Sequence, residues 1–265
     1  MLPPARTRVP GGPLSQSRRR VGPVATLAAL VCGLGLVGAL AASGLENRQL
    51  NPIRCTVPDA PREPVSRART KEREVSITFD EPIGPLTWRI LESFDDHRMR
   101  GTFYAVGEEA RRHPMVTREL LERGHEIGNH TLRHENATML PDFGFATMRA
   151  TNRAIREITG FRPCTFRPPA LAHNRQVLRA AISLRLTSVT ATRGNDVVTA
   201  DSDEIADYAL HGIRPGDIIL MHQVEPSADA LPRVLRGLRA RNLRSVPVAE
   251  LLGGRLARHP RTAGD

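Results

Sequence analysis

The chain has 265 residues, 40% hydrophobic and 4% aromatic, which is enough for one large domain or two small ones with a buried core. Its formal net charge is +10 and comes almost entirely from arginine, because Lys71 is the sole lysine. Half of that charge lies in the first twenty residues, which contain Arg6, Arg8, Arg18, Arg19 and Arg20. The remainder is spread along the chain without a basic run or interleaved aromatic residues, which excludes a nucleic-acid-binding protein.

An uncharged stretch, residues 21–45, directly follows the last of these arginines. About 20 apolar residues cross the hydrocarbon core of a bilayer as a helix, and arginines on one flank hold that end in the cytoplasm. The pattern predicts a basic cytoplasmic tail over residues 1–20 and a transmembrane anchor over 21–45. A cleaved signal peptide is the alternative, because Ala39-Leu40-Ala41 matches a cleavage site. The rest of the chain is therefore expected outside the cell, either held at the membrane by one span or secreted.

Prolines dominate the next stretch, residues 46–72, at Pro52, Pro58, Pro61 and Pro64. Proline at this density keeps a chain extended, so the stretch is predicted to be a linker without packed elements. The folded domain is expected over residues 73–255, with a tail over 256–265. The sequence does not predict an oligomeric state.

The chain contains three cysteines, Cys32, Cys55 and Cys164. Cys32 falls in the uncharged stretch. Cys55 and Cys164 either form a disulfide in an oxidising compartment or stay unpaired, and their spacing does not match a zinc-binding cysteine motif. The sequence alone leaves both alternatives open.

Strand-like and helix-like patterns alternate about seven times after the linker. Strands are predicted at 75–79, 101–107, 125–128, 164–167, 186–192, 217–222 and 243–246. Helices are predicted at 87–94, 108–123 with an interruption at Pro114, 142–159, 174–184, 202–210 and 229–241. This alternation predicts an α/β fold of parallel strands with crossover helices, as a barrel or an open doubly wound sheet.

Polar side chains occur where several of these strands end. Asp80 and Glu81 follow the first strand, Arg167 ends the fourth, and His222 ends the sixth. The carboxyl ends of parallel strands meet at one edge of the sheet, which is where α/β proteins place their chemistry. We therefore expect these side chains to form one functional site.

Three of the nine histidines lie between residues 124 and 134. His130 and His134 are four residues apart, the spacing of one helical turn, so both imidazoles are expected to face the same way. Two neutral imidazoles and a carboxylate can bind a cation such as zinc while leaving a position open for water. His125, by contrast, is predicted to be structural.

Five stretches resemble, in the same order, the motifs of the NodB-homology polysaccharide deacetylases, carbohydrate esterase family four. They are Thr78-Phe79-Asp80-Glu81, His130-Thr131-Leu132-Arg133-His134, Arg167-Pro168-Pro169, Asp196, and Ile218-Ile219-Leu220-Met221-His222. The resemblance extends from about residue 73 to 252. It implies a distorted (β/α) barrel and the metal-dependent removal of N-acetyl or O-acetyl groups from an extracellular polysaccharide such as peptidoglycan.

The resemblance also implies roles for particular residues. Asp80 corresponds to the general base, and Glu81, His130 and His134 correspond to the ligands of a divalent metal. Zinc is the expected ion and cobalt the alternative. His222 corresponds to the general acid that protonates the leaving amine.

Three further residues complete the expected site. Arg167 is expected to keep Asp80 ionised, and Asp196 is expected to orient Arg167 or His222. The backbone N–H of Ala170 is a candidate donor to the oxyanion.

The sequence departs from the family pattern at four positions. Glu81 replaces an aspartate, Pro82 replaces a glycine, Ala170 replaces an aromatic residue, and Val197 follows Asp196 where a tryptophan is common. A polysaccharide deacetylase remains the leading interpretation, and two alternatives are kept, the first of them motivated by Glu81 and the missing aromatic residues. One is a catalytically silent module that binds glycan or cell wall, and the other is a hydrolase of a non-sugar amide.

Overall fold

The computed structural model describes residues 55–58, 62–194, 196 and 199–256. The strands are β1 (Cys55–Thr56), β2 (Glu74–Asp80), β3 (Thr102–Ala105), β4 (Glu126–Asn129), β5 (Thr165–Phe166), β6 (Thr187–Ser188), β7 (Ile218–His222), β8 (Arg244–Ser245) and β9 (Arg255–Leu256). The α-helices are α1 (Pro85–His97), α2 (Gly107–Arg112), α3 (Pro114–Glu122), α4 (Phe145–Thr159), α5 (Arg175–Ser183), α6 (Ser202–Leu210), α7 (Glu225–Ala240) and α8 (Val248–Leu251). Within those ranges no helix combines the length and apolarity that a membrane span requires. The predicted tail and membrane segment, residues 1–45, fall outside the described residues.

Six parallel strands form one curled sheet in the order β6-β5-β4-β3-β2-β7, and β8 pairs with the start of β2. The segment after β6 continues to the far edge of the sheet. There the Thr192 N–H donates to the Ile218 carbonyl at 2.8 Å, and the Leu220 N–H donates to the Arg193 carbonyl at 2.8 Å. The predicted parallel α/β architecture is therefore confirmed. The sheet is a curled half-barrel, and one isolated bridge, Arg193 to Ile219, joins its two edges in place of a continuous strand ladder.

Strand β2 lies inside this sheet and is buried on both faces. Val75, Ile77 and Phe79 belong to the hydrophobic core shared with α1 and α7, and the Phe79 ring stacks on Phe103 with 5.5 Å between ring centroids. Successive strand residues point to opposite faces, so the alternate residues Thr78 and Asp80 point into the barrel. Burial of the apolar side chains of β2 in the core thus directs Thr78 and Asp80 to the opposite face of the strand.

The structure contradicts the predicted linker from Cys55 onwards. Strand β1 pairs antiparallel with β9, and the Arg67 guanidinium lies 2.6 Å from the carboxylate of the fully buried Asp217. Cys55 and Cys164 form a disulfide across a sequence separation of 109 residues. Proline prevents helices but permits edge strands and extended segments that pack through side chains, so proline content alone could not exclude these contacts.

Helix α7 begins four residues before the predicted start at Asp229. Pro226 occupies its first turn, where the missing N–H of proline removes no intrahelical hydrogen bond. The added turn buries Ser227 and Ala228. Tertiary packing therefore set this boundary.

Candidate metal centre and active site

The predicted site residues converge at the carboxyl edge of the sheet. Asp80 and His222 end neighbouring strands and are direct register partners. His130 follows β4, and Arg167 follows β5, where its N–H donates to the Asn129 carbonyl at 2.9 Å. Four separate strands therefore supply the side chains of one pocket, as their shared strand-end position predicts.

Asp80 and Arg167 form the buried side of the pocket. The Arg167 side chain is 0% exposed, and its Nη1 donates to Asp80 Oδ1 and to Thr78 Oγ1, at 2.7 Å in each case. Its Nη2 donates to the Thr190 carbonyl at 2.9 Å. A buried guanidinium with several acceptors is a rigid cation, so Oδ1 of Asp80 is held and Oδ2 remains free.

Tyr104 covers the face of this guanidinium. Its ring centroid lies 4.2 Å from Arg167 Cζ, close enough for a cation–π interaction. Tyr104 and Gly128 are register partners on β3 and β4, and a Cβ added to Gly128 would lie 2.4 Å from the Tyr104 ring. Glycine at 128 therefore leaves the space that the aromatic ring occupies.

His130 connects the buried side to the open side. Its Nδ1 lies 2.7 Å from the Arg167 carbonyl, and a carbonyl only accepts, so Nδ1 carries the proton. In the neutral ring the lone pair is then on Nε2, which lies 2.8 Å from Glu81 Oε2 and 3.8 Å from Asp80 Oδ2. Two acceptor atoms this close repel unless a positive charge lies with them.

Glu81 and His134 form the open side. His134 Nε2 lies 3.3 Å from Glu81 Oε1, and its side chain is 43% exposed. Burial tends to raise the pKa of Glu81. When protonated, His130 donates to this carboxylate, and the positive charges of His130, His134 and His222 then outweigh burial and leave the pKa of Glu81 below its usual value.

His130 and His134, the predicted metal ligands, are not on a helix, contrary to the expectation from their spacing. Thr131 and His134 both have positive φ, 64° and 63°, and the segment is an irregular loop. The two rings still lie 5.0 Å apart between centroids. The backbone reverses through left-handed residues instead of through a helical turn, and this also directs both side chains at Glu81.

Glu81, His130 and His134 fit a divalent metal. One ligand atom from each of the three residues lies within 4.8 Å of the other two. Glu81 Oε2 is buried, and no donor hydrogen among the described residues points at it. An orphaned carboxylate oxygen against an imidazole lone pair is the environment that a cation such as zinc or cobalt completes. The longer glutamate side chain therefore reaches both histidines.

A second group of possible ligands, Cys55, Glu126 and Cys164, does not fit a metal. The two sulfur atoms are bonded to each other. Glu126 accepts hydrogen bonds from the hydroxyls of Thr102 and Thr165 and from a backbone N–H. Its oxygens are already satisfied, so this group is structural.

His222 and Asp196 form a second pair beside the pocket. His222 Nδ1 lies 3.0 Å from Asp196 Oδ1, and the His222 backbone N–H donates to Asp196 Oδ2. Burial tends to lower the pKa of His222. The hydrogen bond and charge of Asp196, together with the charges of Asp80 and Glu81, raise it above its ordinary value. Of the two partners proposed for Asp196, the structure places His222 against it.

Ala170 lies at an exposed, left-handed position (φ 54°) three residues after Arg167. The turn is anchored by a Leu171 N–H bond to the Pro168 carbonyl at 2.9 Å. The loop that contains Ala170 begins at Arg167 and therefore adjoins the pocket, and the oxyanion role of the Ala170 N–H stays a prediction.

His125 is fully buried and accepts a hydrogen bond from the Gly101 N–H at 3.1 Å, and burial lowers its pKa to about 3.

The sequence predicted no role for three contributors: Thr78, Tyr104 and Ser227. Thr78 could have been found, because it lies two residues before Asp80 on the same strand face. Ser227 donates to Asp196 Oδ2 at 2.6 Å, a contact between a helix and a loop that no local pattern indicates. In the sequence Tyr104 is indistinguishable from any aromatic residue of a strand. Its contact with the guanidinium of Arg167 is visible only in the structure.

Comparisons with known proteins agree with this geometry. A family model described as polysaccharide deacetylase matches residues 67–189. A peptidoglycan-N-acetylglucosamine deacetylase from Listeria monocytogenes is 28% identical over 213 residues, which is 79% of this chain but 44% of that protein. The chain thus spans less than half the length of this curated relative.

Two solved structures extend the comparison to the fold. A family 4 acetyl xylan esterase from Clostridium thermocellum, in complex with a cobalt ion, is 30% identical with a TM-score of 0.63, covering 68% of this chain and 90% of that one. A CE4-family pseudoenzyme from Bacillus anthracis is 23% identical with a TM-score of 0.69, covering 73% and 70% of the two chains, and shares the fold. The family-model match and the 30% identity to the acetyl xylan esterase, which this chain covers to 90%, show that the chain belongs to the polysaccharide deacetylase family.

Proposed function

We propose that the protein is a metal-dependent hydrolase that removes acetyl groups from an extracellular polysaccharide. The observation that carries the proposal is the buried, unpartnered Glu81 Oε2 against the His130 lone pair, beside the free oxygen of Asp80. A metal-binding group and a free carboxylate on the same side of a pocket are the two requirements of metal-assisted hydrolysis. Water and the acetyl group are the reactants, and acetate and a free amine are the products.

Glu81, His130 and His134 would hold the cation. Zinc, or cobalt as the alternative, supplies a Lewis acid that polarises the acetyl carbonyl and lowers the pKa of water from about 15.7 towards 7. The Arg167 carbonyl fixes the His130 tautomer by accepting from Nδ1. The ligand atoms therefore need little rearrangement when the cation binds.

Asp80 is the proposed general base. Arg167 holds Oδ1, so Oδ2 is the oxygen available to accept the proton of the attacking water. The same guanidinium forms a buried ion pair with this carboxylate and so fixes its orientation. Because Arg167 is in turn fixed by Thr78 and Thr190, the base cannot turn away from the pocket.

His222 is the proposed general acid. Asp196 binds Nδ1, which leaves Nε2 to donate a proton to the leaving nitrogen. The raised pKa of His222 keeps this proton on the ring to higher pH. The Ala170 N–H is the proposed oxyanion donor, a role that does not depend on the side chain missing at that position.

The proposed substrate is an N-acetylated cell-wall glycan such as peptidoglycan. The name of the Listeria monocytogenes relative, a peptidoglycan-N-acetylglucosamine deacetylase, supports the N-acetyl sugar. The acetyl xylan esterase supports O-acetyl groups as the alternative. The proposed location is the outer face of the cell membrane, held by residues 21–45, with secretion after signal cleavage as the alternative.

The test is acetate release by the full chain from N-acetylated peptidoglycan and from acetyl xylan. We expect release with zinc or cobalt, none after chelation, and recovery when either ion is added back. Asp80→Asn should bind the metal as the wild type does but lose roughly 10²- to 10⁴-fold in rate, because the amide cannot accept the proton. The change also removes the charge partner of buried Arg167, so thermal unfolding is measured to show that the variant is folded. Metal binding without any acetate release would instead support the silent glycan-binding module, which the glutamate at position 81 motivates.

A further inference from the structure

The edge of the sheet opposite the metal pocket is rich in unpaired arginines. In a parallel sheet with crossover helices, every helix-to-strand connection lies at the amino edge of the strands. Five of these connections each carry an exposed arginine, here called the amino-edge arginines: Arg98, Arg162, Arg185, Arg214 and Arg241. The two ends of the barrel therefore differ in their chemistry.

Over the described part of the chain, no carboxylate lies within the 4.0 Å ion-pair distance of an amino-edge arginine. Exposed arginines on the helix flanks do have such partners, as Arg89 has Glu225 at 2.6 Å. The helix dipole explains why a cation is favourable near each helix C-terminus. Acidic residues at the same edge are paired with other arginines, Asp95 with Arg123, Glu74 with Arg244 and Glu250 with Arg100.

A groove at the same edge adds a defined recess. It lies between the C-terminal halves of α6 and α7 and has a volume of about 700 Å³, and its lining includes Asp207, Leu210, Arg233, Arg236, Ala240 and Arg241. Arg233 is neutralised by Asp203 and Asp207, whereas Arg236 and Arg241 have no carboxylate partner among the described residues. Two free guanidinium groups over an apolar floor suit a phosphate attached to a small apolar group.

The chain enters the domain at this edge. Cys55, in the first described strand, is bonded to Cys164, which immediately precedes β5, and Arg67 binds Asp217, which immediately precedes β7. The nine residues 46–54 separate Cys55 from the uncharged stretch predicted to cross the membrane, and nine residues span at most about 32 Å when extended. A membrane anchored through that stretch is therefore within reach of the amino edge.

We propose that the amino edge lies against a bilayer that contains anionic phospholipids. The amino-edge arginines contact lipid phosphates, and the groove between α6 and α7 takes one headgroup with its glycerol. Each arginine near such a surface strengthens association by about fivefold, the equivalent of about 1 kcal/mol. The metal pocket then faces away from the membrane. This surface acts whether or not the pocket hydrolyses a glycan.

The test is hydrogen exchange of the full chain on two kinds of vesicle. One is pure phosphatidylcholine, and in the other roughly a third of the lipid is phosphatidylglycerol. We expect the amides around Arg162, Arg214 and Arg241 to exchange several-fold more slowly on the anionic vesicles only. That protection should vanish at 1 M salt, where the Debye length is about 3 Å.

A matched pair of triple variants locates the effect. Arg162→Gln, Arg214→Gln and Arg241→Gln together should abolish the protection. Arg149→Gln, Arg175→Gln and Arg179→Gln remove the same charge from exposed, equally unpaired arginines in the first two turns of α4 and α5, and should leave the protection intact. Unchanged thermal unfolding of both variants shows that the fold is retained.

Three outcomes would overturn the proposal. Equal exchange on both vesicle types means that the edge does not touch the lipid. Equal loss of protection in both triple variants means that net charge, not this face, drives association. Protection by soluble poly(glycerol phosphate) but not by vesicles assigns the face to a wall polyanion instead of a membrane.

Discussion

The two sides of the metal pocket are built in opposite ways. On the buried side, Arg167, Asp80 and His130 have side-chain exposures of 0%, 5% and 1%, and most of their polar atoms form hydrogen bonds or ion pairs within the protein. On the open side, Glu81 and His134 are 25% and 43% exposed, and their polar atoms mainly face one another. The buried side is thus part of the folded structure. The open side is completed by the cation, so changes on the two sides should affect different quantities.

The largest expected effect is on the buried side, from Arg167→Gln. This change leaves the Asp80 carboxylate buried without its cation, which costs about 3 to 5 kcal/mol of the free energy of unfolding. Urea denaturation in the presence of a chelator measures that cost without a contribution from metal. Acetate release should be lost as well, because the base loses both its charge partner and its orientation.

Arg185→Gln is the control for this prediction. Arg185 is exposed and has no carboxylate partner among the described residues, so the free energy of unfolding should change by less than about 0.5 kcal/mol. If Arg167→Gln also costs less than about 1 kcal/mol, the buried side is not the rigid part of the pocket.

The next effect is on the open side, from His134→Ala. Losing one of three protein ligands should weaken zinc binding by at least roughly 100-fold, the upper end of what losing a supporting group costs. The unfolding free energy of the metal-free protein should hardly change, because the side chain is 43% exposed. Competition with a chromogenic chelator measures the affinity.

His130→Ala sharpens the same comparison. It removes a metal ligand and also a buried hydrogen bond to the Arg167 carbonyl. Both zinc affinity and stability should therefore fall, the stability by about 1 to 3 kcal/mol. Equal stability of the two alanine variants without metal would contradict the division into a buried and an open side.

A smaller effect is expected from Asp196→Asn, read from the pH dependence of kcat. Asp196 contributes to the raised pKa of His222, so the protonated acid persists to higher pH in the wild type. Removing the negative charge lowers that pKa, and the alkaline limb of the profile should move to lower pH. The rate at the plateau should fall by less than the roughly 100-fold expected for His222→Ala.

Ser227→Ala is the matched control for the pH experiment. Ser227 donates a hydrogen bond to Asp196 but carries no charge, so the carboxylate remains beside His222. The alkaline limb should stay close to its wild-type position. A shift as large as that of Asp196→Asn would mean that the position of Asp196, rather than its charge, sets the pKa of His222.

The sequence predicted the parts of the site that depend on strand order. Asp80, Arg167 and His222 could be placed together because parallel strands end at one edge. The path from His130 to His134 could not be predicted, since two residues there adopt a left-handed conformation that tertiary contacts impose. The packing of β1 was missed for a similar reason, because its partners β9 and Cys164 are far away in the sequence.

Substitutions of Tyr104 measure how much the buried side of the pocket depends on the aromatic ring that covers Arg167. Its hydroxyl is buried and has no hydrogen-bond partner among the described residues, while its ring lies 4.2 Å from the Arg167 guanidinium carbon. Tyr104→Phe keeps the ring and removes the unpaired hydroxyl, so activity should be retained and stability should rise by about 1 kcal/mol. Tyr104→Leu removes a cation–π interaction of about 0.5 to 2 kcal/mol, so kcat should fall by about 2- to 30-fold.

A positioning role for the ring has a specific kinetic signature. Tyr104 touches Arg167 and not the open side of the pocket, so Tyr104→Leu should lower kcat while KM and zinc affinity stay near their wild-type values. Full recovery of kcat in Tyr104→Phe separates loss of the aromatic face from loss of the hydroxyl. If phenylalanine and leucine lower kcat equally, the hydroxyl matters and the arginine does not depend on the ring. The buried side would then be held by Thr78, Asp80 and Thr190 alone, through the three hydrogen bonds of Arg167.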